Sequence, residues 1–150
     1  MNKVFICPSN IKSNSEISIT GSKSESNRLL IINALYSNIE PLNLSNSDDT
    51  KVLIKALSNL NGQIDIHHAG TAMRFLTAFL AQIEGREFVI TGSARMQERP
   101  IGILVDSLNE LGFEVSYLDK KGFPPLKIIG KKNIKSEIKL NSTVSSQYIS

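Results

Sequence analysis

The chain has 150 residues, 41% hydrophobic and 21% charged, which is enough for one ordinary domain with a real core and too apolar for a disordered segment. Seventeen basic and fourteen acidic side chains leave a formal net charge of +3, suited to small anionic ligands. No basic block is dense enough for a nucleic-acid surface, and the single cysteine, Cys7, excludes an intrachain disulfide or a Cys-based metal site.

The opening "KVFICPS" and "SEISIT" alternate apolar and polar residues and read as short strands, with Cys7 a small apolar residue near the start of the first. "MNKVFICPSNIKS" turns polar too soon for a signal peptide, and no run reaches the roughly 20 apolar residues of a membrane span, so a cytoplasmic location is expected. A first helix is predicted over about residues 26–36. "EPLNLSNSDDTKVLIKALSNLNG" then gives a short strand, an acidic cap at Ser47, Asp48 and Asp49, and a second helix. Val52, Leu53, Ala56, Leu57 and Leu60 follow helical spacing, and Asn61-Gly62 supplies the stop.

A strand at "QIDIHH" leads to "GTAMRFLTAFLAQI", a helix apolar nearly all round and therefore expected to be buried on most sides. "REFVITG" reads as a strand. "RPIGILVDSLNELG" reads as a helix started by Pro100 and closed by Gly112. Strands follow at "FEVSYL", "PLKIIG" and "SEIKLN", and a new helix begins at "SSQYIS". The class is α/β. Helix starts at "SDD" and "ERP", about fifty residues apart, hint at a repeated βαβαββ unit.

Polar clusters stand at four helix starts: "GSKSESNR", "HHAGTAMR", "RMQERP" and "STVSSQ". There the first backbone N–H groups lack internal partners and the helix dipole is positive, which suits phosphate or carboxylate. Lys23, Arg28, Arg74, Arg95 and Arg99 add cations, and Ser22, Ser24, Ser145 and Ser146 add hydroxyls. Ordinary capping explains the serines of any one cluster. It does not call for Lys23, Arg28, Arg74 or Arg99, whose charge opposes the dipole, and this favours anion sites.

Other constellations are weaker. His67-His68 with Asp65 suggests a metal, but adjacent strand residues face opposite ways and no third ligand is near in sequence, so no metal is expected. Asp48-Asp49 reads as a cap. No nucleophile elbow, P-loop or dinucleotide fingerprint is present.

Taken together, "GSKSESNR", "NSDDTKVLIKAL", "AGTAMRFLTAFLA", "TGSARMQERPIGILVDSLNELG", "FPPLKI" and "STVSSQYIS" resemble, in order, the N-terminal part of the EPSP synthase family. The sibling UDP-N-acetylglucosamine enolpyruvyl transferases share the fold but resemble the sequence less. The resemblance implies transfer of the enolpyruvyl group of phosphoenolpyruvate to the 5-hydroxyl of shikimate 3-phosphate, with release of phosphate and no metal or organic cofactor. It implies an inside-out α/β barrel of βαβαββ units. Residues 1–20 would pack with the lobe built from the C-terminal half. Residues 21–150 would form a partial N-terminal lobe of about two units, with the C-terminal lobe absent.

By the same resemblance Lys23 contacts both substrates. Ser24, Arg28, Ser145 and Ser146 hold shikimate 3-phosphate, Gly70 and Arg99 take phosphoenolpyruvate, and Gln147 lies between the two ligands. The catalytic part of Lys23 and Arg99 is electrostatic, and the family's acid and base residues lie mainly in the second half. The sequence is therefore read as an N-terminal segment inactive alone, of a protein expected to be monomeric, with neither nucleic acid nor membrane as partner. His68 replaces an Asn common in the family and should still donate a hydrogen bond. Phe75 replaces a common Pro and is expected to alter sensitivity to glyphosate, the family's inhibitor. A non-catalytic anion-binding module that kept the phosphate cradles is the competing reading.

Overall fold

A computed structural model describes residues 4–5, 7–8, 13–37, 40–132 and 135–139. In chain order the elements are α1 (Lys23–Tyr36), α2 (Asp48–Ser58), β1 (Gln63–Asp65), α3 (Gly70–Ala81), β2 (Glu87–Thr91), α4 (Ala94–Gln97), α5 (Gly102–Glu110), β3 (Glu114–Tyr117) and β4 (Leu126–Ile129). The four strands form one sheet in the order β1-β2-β4-β3. β1 and β2 are parallel, and β4 is antiparallel to both its neighbours. From β1 onward the order is βαβαββ, apart from the four-residue α4. Among the described residues the unit inferred from the sequence is thus present once in full, preceded by the α1–α2 pair.

Strand alternation sets the layers. Ile64, Phe88, Ile90, Val115, Leu126 and Ile128 are buried, while Glu87, Glu114 and Ser116 are exposed on the alternate positions. α3 and α5 cover the apolar face. α3 also contacts α1 and α2, and Ala72, Met73, Leu76, Thr77, Phe79, Leu80 and Ala81 are all buried along it. That is the burial on most sides expected from its composition. On the polar face Lys127 pairs with Glu87 at 3.0 Å.

α1 and α2 join through a small buried polar network. The Thr50 hydroxyl donates to Asn27 Oδ1 at 2.9 Å, and the Ser45 backbone N–H donates to the Ser26 hydroxyl at 2.9 Å. Asn27 and Thr50 are fully buried. Because residues 26 and 27 of one helix meet residues 45 and 50 at the start of the other, the two N-termini lie side by side. The far ends leave Leu35, Tyr36 and Ile54 exposed.

Several boundaries differ from expectation. α1 begins three residues early, at Lys23, because Ser22 caps it and accepts from the Glu25 N–H. "SEISIT" and "PLNL" are not strands. Strand pairing needs a partner ladder, none is present among the described residues, and Ile17 and Ile19 remain about four-fifths exposed. The described part of "KVFICPS" and residues 136–139 of "SEIKLN" are likewise outside any strand. α2 ends at Ser58, before Asn61-Gly62, and α5 starts two residues beyond Pro100. Gly112 closes α5 as expected, with φ of 100° and its N–H bonded to the Asn109 carbonyl. The helix expected at "SSQYIS" lies outside the described residues.

Gly130 ends β4 where two backbones cross. Its N–H donates to the Arg86 carbonyl at 2.8 Å, and an added Cβ would collide with the Ile83 carbonyl. Gly130→Ala is expected to destabilise the fold by about 1–3 kcal/mol. Thr50→Val, which keeps the shape but strips Asn27 of its buried donor, is expected to cost about 1–3 kcal/mol. Chemical denaturation of both variants beside the parent checks these values.

Candidate anion-binding site

The site lies beyond the C-terminal ends of β1 and β2, where ligands of α/β sheets commonly bind. β1 ends at Asp65, whose Oδ1 accepts from the His67 N–H at 2.7 Å. This local turn puts His67 at φ 51° and directs the chain into α3. β2 leads into Gly92 and Ser93. The Ser93 N–H donates to the His67 carbonyl at 2.9 Å, and a Cβ on Gly92 would press on that same carbonyl at 2.5 Å. A glycine is needed there to bring the two loops together. Ser93 then caps α4, accepting from the Met96 N–H, and buried Met96 anchors the segment that carries Arg95 and Arg99.

Arg99 reaches back across this junction. Its guanidinium lies against Gly70, the first residue of α3, so closely that any Cβ there would collide with it. Arg74 fastens the arrangement by donating to the Gly70 carbonyl at 3.0 Å and to the Pro100 carbonyl at 3.2 Å. The sequence reading gave Arg74 to an anion. In the structure its guanidinium ties the first turn of α3 to the residue after Arg99.

A cleft of about 200 Å³ is lined by His68, Arg95, Met96 and Arg99. His68 Nε2 lies 3.9 Å from the Asp48 carboxylate at the start of α2. Asp49, the next residue, lies 4.0 Å from Lys23 Nζ at the start of α1. On α1, Arg28 donates to the Ser24 carbonyl at 3.1 Å and places its guanidinium over the Phe75 ring of α3, 5.5 Å from the centroid. The starts of α1, α2 and α3 are thereby linked by side chains. Lys23, Ser24 and Arg28 share one helix start, and Gly70 and Arg99 touch at the other. Ser145, Ser146 and Gln147 lie outside the described residues.

One expectation needs correction. His67 and His68 do not face opposite ways, because the strand has already ended at Asp65. The left-handed turn brings their Nδ1 atoms to 2.6 Å, with the rings edge to face. Among the described residues, no group of three or more His, Cys, Asp or Glu is placed to share a metal ion. Phe75 of α3 serves as the surface on which Arg28 rests. Sequence reasoning missed α4. The available signal was Ser93 three residues before Met96, but four residues with one apolar side chain show no periodicity.

Comparison with known proteins identifies the family. The family model for EPSP synthase (3-phosphoshikimate 1-carboxyvinyltransferase) matches residues 61–150. A 3-phosphoshikimate 1-carboxyvinyltransferase of Bacteroides fragilis is 53% identical over 151 residues, covering 100% of this chain and 36% of its own. One from Colwellia psychrerythraea is 39% identical over 165 residues, covering 92% of this chain and 38% of its own. The chain thus spans about a third of the length of these relatives. In structure, it is similar to EPSP synthase from Acinetobacter baumannii with a TM-score of 0.73 at 20% identity, over 89% of this chain and 36% of that one, which establishes the fold. By its sequence, the chain belongs to the EPSP synthase family.

Proposed function

We propose that the protein to which this chain belongs transfers the enolpyruvyl group of phosphoenolpyruvate to the 5-hydroxyl of shikimate 3-phosphate, yielding 5-enolpyruvylshikimate 3-phosphate and phosphate. The observation that carries this reading is the Arg99–Gly70 contact. It joins the two motifs that the family resemblance assigns to phosphoenolpyruvate, and a side chain at residue 70 would push the guanidinium aside. A planar guanidinium binds carboxylate or phosphate through two parallel hydrogen bonds. Gly70 leaves the backbone beside it open to a small acid.

Lys23 stands at the first helical position of α1 and is about half exposed, so its ammonium can turn from Asp49 to a substrate anion. Ser24 and Arg28 take the phosphate of shikimate 3-phosphate, joined by Ser145, Ser146 and Gln147. Two bound polyanions repel each other, and cations that neutralise them stabilise the ternary complex and the charge that shifts during addition and elimination. Lys23 and Arg99 act in this electrostatic sense. Proton transfers fall to acid and base residues of a C-terminal lobe, with which residues 1–20 pack, while residues 21–150 form part of the N-terminal lobe. The protein is cytoplasmic and monomeric, and the reaction uses no metal or organic cofactor. Among the described residues no helix is long and apolar enough to cross a membrane.

In a phosphate-release assay, full-length protein is expected to turn over only with both substrates present. Residues 1–150 alone should give no measurable turnover, because groups that move protons commonly supply about 10²–10⁴-fold in rate. Family-like turnover by the short chain would overturn the division of labour. In the full-length protein, Arg99→Ala should lower kcat/KM for phosphoenolpyruvate by about 10–100-fold. Gly70→Ala, which displaces the guanidinium without removing it, should raise the KM for phosphoenolpyruvate by less than Arg99→Ala does.

A further inference from the structure

The roles assigned above leave out His67 and His68, yet their rings are joined and the backbone beneath them is pinned. The His67 N–H donates to Asp65 Oδ1 at 2.7 Å, and its carbonyl accepts from the Ser93 N–H at 2.9 Å. Ile66 and Ala69, on either side of the pair, are buried. With φ of 51° at His67, this backbone turns the imidazoles toward each other, edge to face, and brings their Nδ1 atoms to 2.6 Å. Both residues are exposed, so the rings exchange protons with water.

Two nitrogens at that distance share one proton, because the bond needs one donor and one acceptor. His68 Nε2 faces the Asp48 carboxylate at 3.9 Å, which favours a proton on that nitrogen and leaves Nδ1 of neutral His68 as the acceptor. His67 then donates from Nδ1. One added proton is taken up without breaking the bond. It enters at His67 Nε2 while the shared proton crosses to His68 Nδ1, so the charge appears on His68. A second would leave two Nδ1–H donors face to face, and the bond is lost. Asp48, Lys51 and Lys55 of α2 and Asp65 of β1 line a cavity of about 590 Å³ with both rings, and Arg95 and Arg99 line the smaller cleft with His68. The carboxylates attract the added charge and the cations resist it. Asp48 decides which ring carries it.

We infer that His67 and His68 form one proton-sharing pair through which the ligand cleft responds to pH: uptake of a single proton charges His68, and the cleft wall that it shares with Arg99 becomes more attractive to an anion. The link to a substrate rests on the reading of Arg99 given above. The pairing of the rings does not. The asparagine common at residue 68 in the family has no such proton equilibrium, so the response belongs to the histidine of this chain. Because binding free energies are reciprocal, an anion in the cleft must also favour proton uptake by the pair.

The test follows the ring-nitrogen NMR shifts of isotope-labelled histidine in the full-length protein over about pH 5.5–8.5. His67→Asn and His68→Asn assign the signals, with thermal melting to confirm that each variant folds. Asn tolerates the left-handed backbone at residue 67. The expected result is a neutral state with the His68 proton on Nε2, then a singly protonated state in which His67 stays neutral. Two rings that titrate independently, each with the curve it keeps after substitution of the other, overturn the pair. The KM for phosphoenolpyruvate is measured over the same range, and the ratio of His68→Asn to parent cancels the titration of the ligand itself. That ratio should rise about 2–5-fold from the alkaline to the acid end, and a flat ratio overturns the link to the cleft. If the parent shows no enolpyruvyl transfer, it is the proposed reaction that fails, and inorganic sulfate, whose charge is constant in this range, takes the place of the substrate. Sulfate should then move proton uptake by the pair to higher pH, and no movement rejects the link.

Discussion

The guanidinium of Arg99 occupies the place where a side chain on residue 70 would stand, and this approach joins the two described loops of the site. It is a contact between segments almost thirty residues apart in sequence, so the sheet must deliver it. β1 and β2 run parallel and end together, which places the start of α3 beside the loop that carries α4. Gly92 lets the second loop come against the His67 carbonyl, and Arg74 binds the Gly70 and Pro100 carbonyls. Each of these contacts limits how far Arg99 can move. Positioning of this kind matters because a clamp displaced by about an ångström loses much of its effect on a bound reactant.

α3 is the element on which the fold and the site meet. Its body is buried against the sheet, α5, α2 and α1, and its first residue is the Gly70 that Arg99 covers. A helix packed on nearly all sides cannot shift along its axis without opening the core. The apolar sequence from residue 72 onward therefore serves the ligand site by fixing where the helix begins.

Much of this was legible in the sequence, though unevenly. The helices α2, α3 and α5 and the four strands follow from periodicity, because each has one face or all faces buried in the same core. Residues 15–20 and 40–44 carry an equally regular alternation and form no strand, since alternation reports what a segment could pair with and not whether a partner is at hand. The start of α1 was misplaced because "GSKSES" looks like a loop by composition, although Ser22 turns it into a capped helix. In the site, the residue types were readable and the pairings were not. Nothing local in "AGTAMR" or "ERP" reveals that Arg74 satisfies carbonyls while Arg99 meets Gly70. Nor could strand periodicity anticipate the joined rings of His67 and His68, which result from a left-handed residue just past the strand.

The placement of cations at helix starts, puzzling on dipole grounds alone, resolves into two classes. Lys23 faces Asp49, Arg28 has the Ser24 carbonyl and the Phe75 ring, and Arg74 has two carbonyls. Each is offset by a local partner, so its unfavourable position costs the fold little. Arg95 and Arg99 have no such carboxylate among the described residues, and they stand together beside one cleft. A local partner fixes where a side chain stands, so Lys23, Arg28 and Arg74 are each held at a defined place on the helix starts, whereas Arg95 and Arg99 are set by the backbone of the loop that follows β2.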